Sequence, residues 1–161
     1  MKIKHLSTMT VLFVLAMGTF ALASTEGSWF DMENCGFCKY LAAEPGLLDQ
    51  LGWEYFLIKS GLLSITNFPD AETKAAYGRA RAKMEEVGKK MEAGETVPMC
   101  NFCMSFGAIF MTNKVEWEEV EADASSVMLV TSSDPEVITM IHEHGQRTIE
   151  ELAKAEAKSA E

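Results

Sequence analysis

Cys35-Gly36-Phe37-Cys38-Lys39-Tyr40-Leu41-Ala42-Ala43 and Cys100-Asn101-Phe102-Cys103-Met104-Ser105-Phe106-Gly107-Ala108 begin 65 residues apart and hold all four cysteines of the chain. Each opens with Cys-x-Phe-Cys and runs into an apolar stretch, so each reads as a helix start. Around them the order of elements repeats. In the first half the apolar helical stretch runs from Cys35 to about Leu51, with a break near Pro45-Gly46. A hairpin follows, Trp53 to Lys59 and Leu62 to Asn67 about Ser60-Gly61. Pro69 and Asp70 then open a long helix to about Glu92, whose Tyr77, Ala80, Met84, Val87 and Met91 fall on one stripe.

Gly94 to Pro98 punctuates the chain, and the second half follows the same plan. Cys100 to Met111 reads as an apolar helix, and Val115 to Glu121 and Val127 to Thr131 read as strands. Asp134-Pro135-Glu136 supplies an N-cap, a first-turn proline and a first-turn acid for the last helix. At the same offset of 65, Thr66 matches Thr131, Glu85 matches Glu150 and Lys89 matches Lys154, while Trp53 and Trp117 correspond if one residue is slipped. The expectation is an α+β protein made of internally duplicated α-β-β-α units, repeat 1 about 33–93 and repeat 2 about 98–158. Their hairpins would join in a mainly antiparallel sheet covered by helices.

Residues 1–23 read as a signal peptide. Lys2, Lys4 and His5 precede an apolar run from Leu6 to Leu22 that carries no charge, and Ala21-Leu22-Ala23 gives the small-x-small pattern for cleavage after Ala23. The expected location is periplasmic or secreted, with no stable membrane span after cleavage. Residues 24–161 would form a single duplicated domain, long enough for its own core. The net charge of −10 becomes −12 when Lys2 and Lys4 are lost. Such a surface repels nucleic acid and anionic lipid and favours cations or basic partners. It names no protein partner.

Three readings of the cysteines stand side by side. In the first, thiolates stabilised at two helix starts bind one metal ion between the repeats. Cys35, Cys38, Cys100 and Cys103 are then the ligands. Four thiolates suit zinc, and two or three suit copper(I). Met99 and Met104 flank the second pair with soft sulfur and are accessory candidates. In the second reading the protein is a periplasmic thiol-disulfide redox protein, with Cys35 and Cys100 as the exposed attacking thiolates. Cys-Gly-Phe-Cys resembles, over those four residues, the active-site motif of exported thioredoxin-fold disulfide isomerases. The residues before it form no strand, so no catalytic role is carried over. In the third reading the cysteines form disulfides that staple an interaction module.

Once the leader is removed His142 and His144 are the remaining histidines, and both are accessory ligand candidates. On a regular helix they flank the stripe Val137, Ile141, Gly145, Thr148, Leu152 on opposite sides, so one ion cannot take both. His142 falls at the repeat position of Tyr77, a core-seam position, which supports a packing role for it. No nucleophile elbow, phosphate loop, His-Glu-x-x-His or haem-attachment motif occurs. Outside the thiols the sequence offers nothing for catalysis.

Overall fold

The computed structural model describes residues 27–159, and the proposed signal peptide lies outside them. The chain runs α1 (Lys39–Ala43), α2 (Leu47–Gln50), β1 (Gly52–Ile58), β2 (Gly61–Asn67), α3 (Ala71–Glu92), α4 (Asn101–Met111), β3 (Glu116–Glu121), β4 (Ser125–Thr131) and α5 (Pro135–Ser159). Local chemistry sets several of these boundaries. Asp70 caps α3 by accepting from the Thr73 amide at 2.7 Å, with Glu72 in the first turn and Lys89 and Lys90 in the last, complementing the helix dipole. The helix stops where Gly94 takes φ 90° and returns its amide to the Met91 carbonyl at 2.9 Å. Asp134 Oδ1 accepts from the Glu136 amide at 2.9 Å and opens α5.

The four strands form one antiparallel sheet in the order β1-β2-β4-β3, so the two hairpins meet edge to edge through β2 and β4. This is the joined sheet expected from the sequence. Trp53 faces Thr66 in the first hairpin and Trp117 faces Val130 in the second, an offset of 64 at both partners. The cysteines keep an offset of 65. The first half is one residue longer between its second cysteine and its hairpin tryptophan, and there Gly46, at φ 70°, separates α1 from α2. In the second half α4 runs through unbroken.

The helices lie on one face of the sheet. Residues directly opposite in an antiparallel ladder point to the same side. The rows Leu57–Leu62–Val130–Trp117 and Tyr55–Ser64–Met128–Glu119 therefore share a face with Trp53–Thr66–Ser126–Glu121. On this face Leu62 and Val130 pack with Ile109, Val137 and Ile141 of α4 and α5. Trp53 packs with Leu47, Leu51, Phe68, Ala80 and Tyr77, which brings in α2 and α3. Phe110 meets the Trp117 ring at 5.6 Å, and Arg81 of α3 pairs with Glu119 and, at 3.2 Å, with Glu121. A glycine lets α5 lie close. A Cβ at Gly145 would stand 2.7 Å from both Leu57 Cδ2 and Leu62 Cδ1.

Among the described residues, no helix is long and apolar enough to cross a membrane.

Candidate metal centre

The two Cys-x-x-Cys segments meet. Cys38 is the N-cap of α1 and Cys100 the N-cap of α4, so each pair spans the entrance of a helix. The loops before the two helices are tied to each other through the backbone. The Gly36 amide donates to the Pro98 carbonyl at 2.7 Å, and the Phe102 amide donates to the Trp29 carbonyl at 3.0 Å. Asp31 braces the first loop, its Oδ1 accepting from the Asn34 amide at 2.9 Å and the Glu33 amide at 3.1 Å. The Cys35 amide donates to the Asp31 carbonyl at 3.2 Å. Gly36 has to be glycine for this approach, because a Cβ there would stand 2.1 Å from Val97 Cγ1 and 3.2 Å from the Pro98 carbonyl oxygen.

These contacts bring the four sulfurs together. Cys35 Sγ lies 3.5 Å from Cys103 Sγ, and Cys38 Sγ lies 3.5 Å from Cys103 Sγ and 3.6 Å from Cys100 Sγ. All four are within 4.8 Å of one another. A tetrahedral ion with bonds of about 2.3 Å to sulfur sets its ligands roughly 3.8 Å apart, so the cluster has the dimensions of such a site. Cys35, Cys38 and Cys100 are buried and Cys103 is partly exposed, with Met32, Phe37 and Phe102 packed around them. None of the four is in a disulfide, so the stapled arrangement is not the one found.

The electrostatics are those of thiols sharing a charge. Donation from the Cys103 thiol, helped by Cys100 and Cys35, brings Cys38 down to about 6. The same contact with Cys38, with burial added, pushes Cys103 well up, and burial raises Cys100. Cys38 therefore ionises readily, while Cys103 and Cys100 resist. A cation at the centre would remove that resistance, since coordinated thiols are deprotonated outright.

The expectation that Cys35 and Cys100 are the exposed, attacking members of their pairs is corrected. Cys35 is 1% exposed and Cys100 6%, while the more open sulfur belongs to Cys103. Two loops packed face to face seal the N-terminal cysteine of each pair, whereas an isolated helix start would leave it at the surface.

The accessory candidates are placed away from the cluster or beside it. His142 Nε2 donates to the Ile58 carbonyl at 2.8 Å, because a carbonyl can only accept. His144 Nδ1 lies 3.1 Å from Ser105 Oγ. Neither joins the four sulfurs within their 4.8 Å circle. Met104 is 46% exposed on α4, and Met99 is partly buried just before Cys100. His142 is half-buried, as Tyr77 is, and packs on β1 through its bond to Ile58, while His144 is buried at 2% exposure. The rings of Trp29, Phe102 and Phe106 lie 5.6, 4.9 and 5.3 Å from its own and widen the apolar stripe to that side. Burial brings His144 down to about 4, so it stays neutral near pH 7. Through Phe102 it packs behind the second cysteine pair.

Gly36, Trp29 and Asp31 are the site residues that motif reading missed. The only signal for them was the glycine inside Cys-Gly-Phe-Cys, which spacing alone does not interpret. Compared with protein-family models, curated proteins and solved structures, the chain matches none.

Proposed function

We propose that this protein binds one metal ion through Cys35, Cys38, Cys100 and Cys103, and that the ion is Zn²⁺. The observation that carries this reading is the convergence of four sulfurs within 4.8 Å, three of them buried. Four thiolates at tetrahedral spacing suit zinc better than copper(I), which is content with two or three. The burial favours a resident ion over one in transit, because exchange needs an opening to solvent. Bound there, the ion would clamp the loop before α1 to the start of α4 and so hold the two halves of the chain together.

The two halves are read as copies of one α-β-β-α unit. The shared offset of both hairpin partners and the paired cysteine motifs support that reading. With the basic-then-apolar leader cleaved after Ala23, the protein would work in the periplasm or outside the cell. An oxidising compartment gives the ion a second role, since sulfurs this close would pair as disulfides unless a metal held them.

The test is to purify the mature chain under mild reduction without chelator, then measure metal content and free thiols. One zinc per chain with four thiols released on denaturation in chelator is expected. A metal-free protein with all four cysteines oxidised would refute the proposal. Copper in place of zinc would correct the ion and keep the site.

A further inference from the structure

The second face of the sheet is apolar, and among the described residues no helix packs on it. Its side chains alternate with those facing the helices. Two adjacent rows cross all four strands, Glu54–Ile65–Val127–Val120 and Phe56–Leu63–Leu129–Glu118. Each row is three apolar residues and one glutamate, and the two run in opposite senses, so the glutamates stand at opposite corners. Glu54 and Glu118, Phe56 and Val120, Leu63 and Val127, and Ile65 and Leu129 are each 64 residues apart. Phe56 is 46% exposed and Val120 54%, and the four central residues are partly exposed. None of the six belongs to a core cluster.

We infer that this face binds a partner segment with an apolar stripe flanked by lysine or arginine, an amphipathic basic helix. Contiguous apolar surface rimmed by polar groups marks an interaction site, and a sheet buries such a face against another layer. The occupant follows from charge. The charged strand positions on this face are Glu54, Glu116 and Glu118, and none carries lysine or arginine. Two copies packed face to face would gather the glutamates of both around one apolar centre, on a chain whose net charge is −10. A basic partner meets the same rim favourably. The dimensions agree, because four strands about 4.8 Å apart make the patch about 14 Å wide, close to three turns of helix. The metal centre takes no part in this inference.

The test uses the zinc-supplemented mature protein and two synthetic helical peptides of about four turns, one of Leu and Lys and one of Leu and Glu in the same pattern. The Leu/Lys peptide is expected to bind, less tightly at high salt, and the Leu/Glu peptide is expected not to. Leu63→Ser with Leu129→Ser, on a protein whose melting curve shows it folded, should weaken binding about tenfold or more, since each leucine would be buried in the complex. Glu54→Lys with Glu118→Lys leaves the apolar centre untouched and should shift preference to the Leu/Glu peptide. Leu/Lys binding that survives both pairs of substitutions would overturn the inference. So would sedimentation showing that the protein alone dimerises in a manner abolished by Leu63→Ser and Leu129→Ser, because the occupant would then be a second copy.

Discussion

Gly36→Ala is a one-carbon perturbation whose effect on the metal can be worked from distances. The new methyl would sit 2.1 Å from Val97 Cγ1, where carbon atoms in contact need about 3.5 Å or more. Roughly 1.4 Å must be found. Val97 has a single side-chain torsion and a branched Cβ, so it yields only by turning into another rotamer well. Otherwise the loop carrying Cys35 and Cys38 backs away from the segment entering Cys100. Sulfur–zinc bonds tolerate about 0.2 Å, so a displacement even approaching an ångström breaks the tetrahedral set.

Overpacking of this kind costs about 1–3 kcal/mol, which corresponds to roughly 5- to 150-fold weaker zinc binding when only the closed loops present four sulfurs. Competition against a chromophoric zinc chelator reads this directly. Adding Val97→Ala removes the clashing methyl and leaves the Pro98 oxygen, 3.2 Å away, as the nearest atom, a contact that yields by tenths of an ångström. The double variant should recover most of the lost affinity. An unchanged affinity in Gly36→Ala, or no recovery in the double variant, would refute the claim that this close approach holds the two pairs together.

Other perturbations separate the parts of the molecule. Cys103→Ser removes the partly exposed ligand, and its zinc content and chelator-sensitive stabilisation should both fall, measured by metal analysis and melting with and without chelator; zinc at 1,000 times its Kd stabilises by about 4 kcal/mol. Ile141→Ala, at a fully buried position in the α4–α5 core, should lower stability by about 2–5 kcal/mol in urea melts and leave one zinc per folded chain, because that core is separate from the cysteine cluster. His144 titrates near 4 when folded and near 6.5 when unfolded, so the unfolded chain binds more protons between those values and stability is lost as pH falls through the window. Between pH 7 and pH 5 the wild type should lose about 2 kcal/mol more than His144→Phe at matched zinc, where proton competition for the thiolates cancels; equal losses would contradict the burial of a neutral imidazole.

The helix-start motifs, the caps and the Gly-Pro joints made most of the architecture legible in the sequence, because each is a local signal. Asp70 and Asp134 caps, the break at Gly46 and the stop at Gly94 lie where the residue types placed them. What was illegible depended on which surfaces face each other. The exposure of Cys35 and Cys100 followed from treating each helix start alone, and the second loop covers both. The burial of His144 rests in part on Trp29, which is distant in sequence, so the helix angles about α5 could not show it. Nor did the strands tell which face of the sheet the helices would take.

That last ambiguity has a physical consequence. A strand whose helix-facing residues are Leu62, Ser64 and Thr66 and whose other face bears Leu63 and Ile65 carries apolar residues on both sides, as strands do in sheets covered by two layers. The helix layer takes the face with serines and threonine, where Tyr77 and Trp53 bridge to α3, and leaves the more aliphatic face open. Burial alone does not decide between the faces, because Trp53, Tyr55, Leu57, Leu62, Trp117, Met128 and Val130 lie on the helix-facing side. The cysteines supply the missing constraint: with Cys38 capping α1 and Cys100 capping α4, closing one four-sulfur cluster requires both helix starts on the same side of the sheet. The cysteine cluster and the open face of the sheet are in this way two outcomes of one geometric condition.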